Sequence, residues 1–253
     1  MPTIAVSQAM PQAPVRRVGT HDRVFYGSVA VLMALMAIVG FAPTFYLRLF
    51  SGGPMVTFGA GRPFTPLIYL HGALFTAWVA LFIVQTALIS ARRVVLHRRI
   101  GVGGALLAAA MIAVATMTAL GAAKRGSTPP GIPPLVFLAI PLFDMVMFAT
   151  FITAALALRR NKEAHKRLML LAYVSIMGAP AARLPGMLPL GPLAFYGIAF
   201  VFLAAGIVYD LVSRRRVHAA YIWGGTLLVA SVPLRLAISG TATWMAIAQA
   251  LTR

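Results

Sequence analysis

The sequence predicts an all-α membrane protein: a bundle of seven transmembrane helices with the N-terminus cytoplasmic and the C-terminus periplasmic. Three observations carry that prediction. Of 253 residues, 60% are hydrophobic and only 10% are charged, where a soluble domain has about a quarter charged. The apolar residues fall into runs of roughly 20, the length that crosses a hydrocarbon core of about 30 Å. The basic residues gather in the short turns between runs, as topology signals do.

The runs, in order, are Val24–Leu47, Pro66–Ser90, Gly101–Ala122, Leu135–Leu158, Leu168–Met187, Pro192–Val212 and Ala220–Gly240. Residues 1–23 contain Pro2, Pro11 and Pro14 and no apolar run, so they read as a flexible cytoplasmic tail, with the first span as an uncleaved anchor. Short connections make sequential helices antiparallel neighbours. In the third run, Gly101, Gly103, Gly104 and Ala108–Ala110 form a small-residue face suited to close packing in lipid. Ser51–Pro66 and Lys124–Pro134 are Gly- and Pro-rich loops. Thr241–Arg253 either extends the last helix or lies along the outer surface, with Trp244 suited to the interface. The transmembrane domain is therefore residues 24–240, followed by an outer segment, 241–253.

Orientation follows from the basic residues. Arg16, Arg17, Arg23, Arg92, Arg93, Arg98, Arg99, Arg159, Arg160, Lys162, Lys166, Arg167, Arg214, Arg215 and Arg216 fall on one side. Arg48, Arg62, Lys124, Arg125, Arg183, Arg235 and Arg253 fall on the other. The first group is the larger, so its side is cytoplasmic, and anionic lipid headgroups are the expected partners there. The net charge of +18 is thus a membrane signal and not one for nucleic acid. The chain has no cysteine, which excludes disulfides, thiolate metal sites and Cys nucleophiles. It also lacks a phosphate-cradling glycine loop, His-Glu-x-x-His and paired carboxylates. With Asp22, Asp144, Glu163 and Asp210 as the only acids, hydrolase or ATPase chemistry is not expected. Asp210, four residues before Arg214, reads as its i,i+4 partner.

Two groups of polar residues stand out. Four of the five histidines lie at cytoplasmic helix ends beside arginines: His21, His97, His165 and His218. His165 is followed by Pro180 and Arg183, and His218 by Pro233 and Arg235, at similar spacing, a pattern consistent with degenerate helical hairpins. Histidines at a wet interface need no ligand. If His97, His165 and His218 converge, however, neutral imidazole is a ligand for haem iron or another transition metal, and adjacent arginines could pair with an anion.

The second group is found by counting depth at about 1.5 Å per residue. From their basic cytoplasmic anchors, His71, Arg183, Tyr196 and Arg235 all lie about 26–31 Å away, with Asp144 about 22 Å away. The first four share one outer level, and Asp144 lies somewhat deeper. A lone intramembrane carboxylate costs a few kcal/mol, about 2.5–3.5 on insertion scales, so Asp144 calls for Arg183 or Arg235 as partner. The set reads either as a structural ion pair with a snorkelling arginine or as an outward-facing pocket for an anionic or quinone-like ligand. Pro180 and Pro233 would free the carbonyls of Ile176 and Val229.

Leu96-His97-Arg98-Arg99-Ile100-Gly101 and His165-Lys166-Arg167-Leu168-Met169-Leu170-Leu171 resemble signatures of uncharacterised bacterial multi-pass inner-membrane proteins. The likeness extends to His71–Trp78 and to Tyr209-Asp210-Leu211. It implies a bacterial cell inner membrane and no particular activity. The shorter Leu-His-Arg-x-x-Gly piece is similar to ferric-reductase-like membrane cytochromes, in which such a histidine ligates haem. That similarity implies one b-type haem near the cytoplasmic face, held by two of His97, His165 and His218. A second, outer haem is not implied, because His71 stands alone there. The expectations are, first, a redox or assembly protein binding one b-type haem or metal. The alternatives are a transporter or ligand-binding protein using His71, Asp144, Arg183, Tyr196 and Arg235, and a cofactor-free structural subunit of a membrane complex.

Overall fold

The computed structural model describes residues 20–51 and 63–253. Among these residues the chain is all-helical, with no strand. The helices are α1 (Thr20–Phe41), α2 (Leu47–Ser51), α3 (Pro66–Ser90), α4 (Val94–Lys124), α5 (Pro134–Phe137), α6 (Ala139–Ala157), α7 (Lys162–Ser175), α8 (Gly178–Ala181), α9 (Pro192–Arg214), α10 (Ala219–Ile238) and α11 (Ala242–Leu251). Six segments are long and apolar enough to cross a membrane. They are His21–Tyr46, Pro66–Ser90, Val94–Lys124, Pro134–Ala157, Pro192–Arg214 and Ala219–Ile238. The loop at 52–62, with Arg62, and the tail through residue 19, with Arg16 and Arg17, lie outside the described residues.

The expected fifth span, Leu168–Met187, is not one continuous helix. α7 has 14 residues, about 21 Å of rise, and stops at Ser175. Gly178–Ala181 makes a single further turn, and the chain then winds through Arg183–Met187 into a 3₁₀ turn at Leu188–Leu190. The cause is local. Pro180, Pro185 and Pro189 each lack a donor, and Gly186 and Gly191 take positive φ. The long helix thus breaks beside Pro180, whose missing donor leaves the Ile176 carbonyl free. α7 is nonetheless the axis of the bundle: Leu170, Leu171, Ala172, Tyr173 and Val174 are all fully buried, enclosed by α6, α9 and α10. α1 reaches α8 at Gly40, where any side chain would collide with the Pro180 carbonyl.

Other boundaries shift too. α1 begins at Thr20, so residues 20–23 belong to the helix and not to a tail. The end of α1 widens into a π-helical turn, Ala42–Tyr46, a distortion that re-aims side chains. On α4, Gly104, Ala108, Met111, Ala115, Ala119 and Ala123 form the buried stripe; of the expected small-residue face Gly104 and Ala108 pack, Gly104 against Leu81 of α3, whereas Gly103 and Ala109 are exposed. The C-terminal segment is a separate helix. Thr241 caps it, accepting from the Trp244 amide at 3.2 Å. Trp244 Nε1 donates to the Leu135 carbonyl at 2.8 Å, and Lys124 Nζ reaches the Arg253 main-chain oxygen at 2.6 Å.

Side-chain contacts define two ends of the bundle. At one, Phe25 of α1 stacks on Tyr209 of α9 at 4.1 Å between centroids. At the other, Arg183 lies over the Phe41 ring at 4.6 Å. α1 thus runs antiparallel to α9 and alongside the α7–α8 segment.

Candidate functional site

The arginine-rich end holds three of the four acids in one ion-pair cluster. Arg167 is fully buried, as is Asp210, its partner. The guanidinium grips the carboxylate through Nε, at 2.8 Å, and Nη2. Arg167 Nη1 also donates to the Glu163 carboxylate at 2.7 Å. Asp22 accepts from Lys166 at 2.6 Å and from Tyr209 at 2.5 Å, and Arg214 pairs with both Asp22 and Glu163. Asp210 was expected to serve Arg214. That contact exists, at 3.6 Å, but Arg167 is the principal partner. A sequence reading could not find it, because the two residues are 43 positions apart.

This end also separates the histidines. His97 and His165 meet, with ring centroids 6.4 Å apart and planes 82° apart. His165 Nδ1 lies 2.8 Å from the Ala155 carbonyl. His218 does something else: its Nδ1 accepts the Ala220 amide at 3.1 Å, capping α10, while its own amide donates to Asp210 at 3.0 Å. Partial burial, followed by the nearby Arg167 charge, holds its imidazole pKa below the ordinary value. His21 is exposed at the start of α1. Among the described residues, no group of three or more His, Cys, Asp or Glu side chains could hold a metal ion. Nor does either of the two principal cavities touch His97 or His165. Of the three imidazoles, His97 and His165 are therefore neighbours, the His97 Nδ1 is buried without a partner, and His218 is engaged in capping α10.

The opposite end brings the second predicted group together. Asp144 on α6 pairs with Arg235 on α10 at 2.5 Å and accepts the Tyr196 hydroxyl at 2.6 Å. Arg235 is 1% exposed. Its remaining donors go to the Tyr196 oxygen at 2.6 Å, to Ser231 Oγ at 2.8 Å and to the Ser231 carbonyl at 3.0 Å. Of the two arginines proposed for Asp144, Arg235 is thus the one that reaches it, because α10 places it on the face toward α6. Arg183 instead donates to the Ala179 carbonyl at 2.8 Å. Gly178 makes room for the Tyr196 ring, which a Cβ there would meet at 2.5 Å.

Asp144, Tyr196, Arg183 and His71 line one cavity of about 360 Å³, while Arg235 backs its wall. Most of the lining is apolar, including Phe41, Phe45, Phe64 and Phe75. Four of its lining residues carry buried polar atoms with no hydrogen-bond partner: Thr44 Oγ1, His71 Nδ1, Arg125 Nε and Nη2, and Tyr173 Oη. Burying such atoms unpaired costs free energy; Tyr26, Thr65, Trp78, Gln85, His97, Arg214 and Tyr221 carry others elsewhere, so it is the convergence of four carriers on one cavity that distinguishes this site. Arg125 was counted from sequence only as a topology charge. It enters the site because the turn after α4 folds inward, with Ser127 and Thr128 buried. Tyr46, which donates to or accepts from Thr76 at 3.0 Å, likewise reaches the cavity through the π turn, which no hydropathy pattern signals.

Two arginines and a histidine therefore face an apolar chamber whose one carboxylate is already paired. Such a wall is complementary in shape and charge to an apolar body with a hydrogen-bond-accepting, negatively charged head. Comparison with protein-family models, with curated proteins and with solved structures finds no match.

Proposed function

We propose that the chain is a ligand-binding or transport protein of a bacterial inner membrane, and that the cavity takes a small amphiphile with a carboxylate or quinone-like head. The observation that carries this reading is the set of unpartnered buried polar atoms on Thr44, His71, Arg125 and Tyr173, all lining one cavity. A purely structural ion pair would leave Asp144 and Arg235 satisfied and would not require the rest. The chain then crosses the membrane seven times, the fifth crossing being the broken α7–α8 segment that runs beside α1. Its arginine-rich end, with the N-terminus, faces the cytoplasm and anionic lipid. The redox reading rests on His97 and His165 alone. A reduced-minus-oxidised absorbance spectrum lacking a haem band removes it.

The test of the binding reading is direct titration of the protein in lipid nanodiscs. Octanoate and decylubiquinone represent the two head chemistries, and octylamine is the charge-reversed control. Saturable binding of octanoate or decylubiquinone is expected, with at least tenfold weaker affinity in Arg125→Gln and no saturable binding of octylamine. Equal affinity for octylamine, or no saturable binding of either acceptor-headed probe, refutes it.

A further inference from the structure

A second cavity, of about 860 Å³, lies between α9 and α10. It is an apolar groove, lined among others by Leu193, Phe200, Ile222 and Pro233. Leu193 and Ile222 are strongly exposed, so in a bilayer this groove faces acyl chains. One residue, Tyr196, lines both the groove and the central cavity. Its ring stands between them, packed on Phe195 and Phe200. Its hydroxyl is held by Asp144 and Arg235.

We infer that groove and cavity form one lateral path, gated by the Tyr196 ring, along which a single-chain carboxylic acid dissolved in the bilayer reaches Arg125 and His71. The inference rests on the binding reading above and adds the ligand class and the route. Three features favour it. The groove is mostly apolar, its hydroxyls being those of Tyr196, Tyr221 and Thr226, which suits an alkyl chain, while the unpartnered guanidinium nitrogens of Arg125 lie on the cavity side, which suits its head. The cavity volume is at the small end of the range of about 300–1,000 Å³ for ligand pockets, so it suits one chain and not a two-chain phospholipid. Finally, the gate can turn without isolating a charge. When the Tyr196 hydroxyl leaves, Asp144 and Arg235 remain bonded to each other, and Arg235 keeps Ser231. Pro233 lies on the groove wall too, and a helix interruption there is tolerable because it borders a cavity.

The test uses full-length protein in nanodiscs and two probes: dansyl-undecanoic acid loaded into the lipid, and octanoate added from water. Gly197 borders the groove, and a Cβ there meets nothing within 4 Å. Gly197→Leu should therefore fill the groove without disturbing the fold. Thr226→Leu does the same from α10. Either variant should slow dansyl-undecanoate association at least tenfold and leave octanoate affinity unchanged. Tyr196→Phe, which frees the ring from both hydrogen bonds, should speed that association several-fold. Unchanged association in both groove variants, or octanoate binding without dansyl-undecanoate binding, overturns the lateral path while leaving the cavity reading intact. Failure of both acids to bind the wild type overturns both.

Discussion

Replacing Arg235 with methionine isolates the energetics of the buried pair. The guanidinium is 1% exposed and supplies one of the two side-chain donors to Asp144, the other being the Tyr196 hydroxyl. Methionine retains much of the stem volume, so the loss is mainly electrostatic. Removing one partner of a buried ion pair costs about 3–5 kcal/mol, because the remaining charge is left without compensation. Arg235→Met should thus destabilise by about that amount, and Asp144→Leu similarly, since it strands the guanidinium. The double variant should behave differently. Replacing a whole buried pair with apolar residues is often neutral or stabilising by about 1–4 kcal/mol. With each single variant losing at least about 3 kcal/mol and the double variant near neutral, the interaction energy in a double-mutant cycle should reach about 6 kcal/mol. Reversible unfolding in mixed micelles, titrated with a denaturing detergent, measures all four proteins. Single variants losing less than about 1 kcal/mol, or costs that simply add, would show that Asp144 and Arg235 do not depend on each other.

Two further outcomes follow from the arginine-rich end. Arg167→Lys keeps the charge but cannot grip Asp210 through two nitrogens while also reaching Glu163; losing a charged hydrogen bond of this kind costs about 1.5–3 kcal/mol, which the same unfolding titration should resolve, and a change within error would count against the buried clamp. His218 must be neutral at Nδ1 to cap α10. Its folded pKa lies below its ordinary value near 6.5, so the unfolded chain binds the proton more readily, and stability should be full above about 6.5 and fall as pH drops below it toward the folded value. His218→Asn, which retains an acceptor but does not titrate, should flatten that part of the profile, and an undiminished slope in the variant would place the titration elsewhere.

Much of this arrangement is legible in the chain itself, and the limits have physical reasons. Depth counting places Tyr196 and Arg235 at one level, with Asp144 somewhat deeper, because helices rise uniformly, and the three do meet. It could not choose between Arg183 and Arg235, since level says nothing about which face a residue takes. Hydropathy reads Leu168–Met187 as a span because composition ignores the prolines beside which the long helix breaks. The imidazoles share a neighbourhood by the same topology argument, yet His218 turns aside to cap its own helix. Arg125 escaped notice because a basic residue after a span looks the same whether it faces water or folds inward. Asp22 with Lys166, 144 positions apart, left no local trace at all.

The enclosure of α7 has a consequence for biogenesis. Its helix is short, its first turn is densely charged, and two of the helices that surround it, α9 and α10, are made after it. While the ribosome is still extending the chain, Asp210 does not yet exist, and Arg167 has only Glu163 of its own helix to hold. Lys166, by contrast, already has Asp22 on α1, which is made before it. That early pairing gives the nascent segment a place to rest beside α1 until the later helices arrive to close around it.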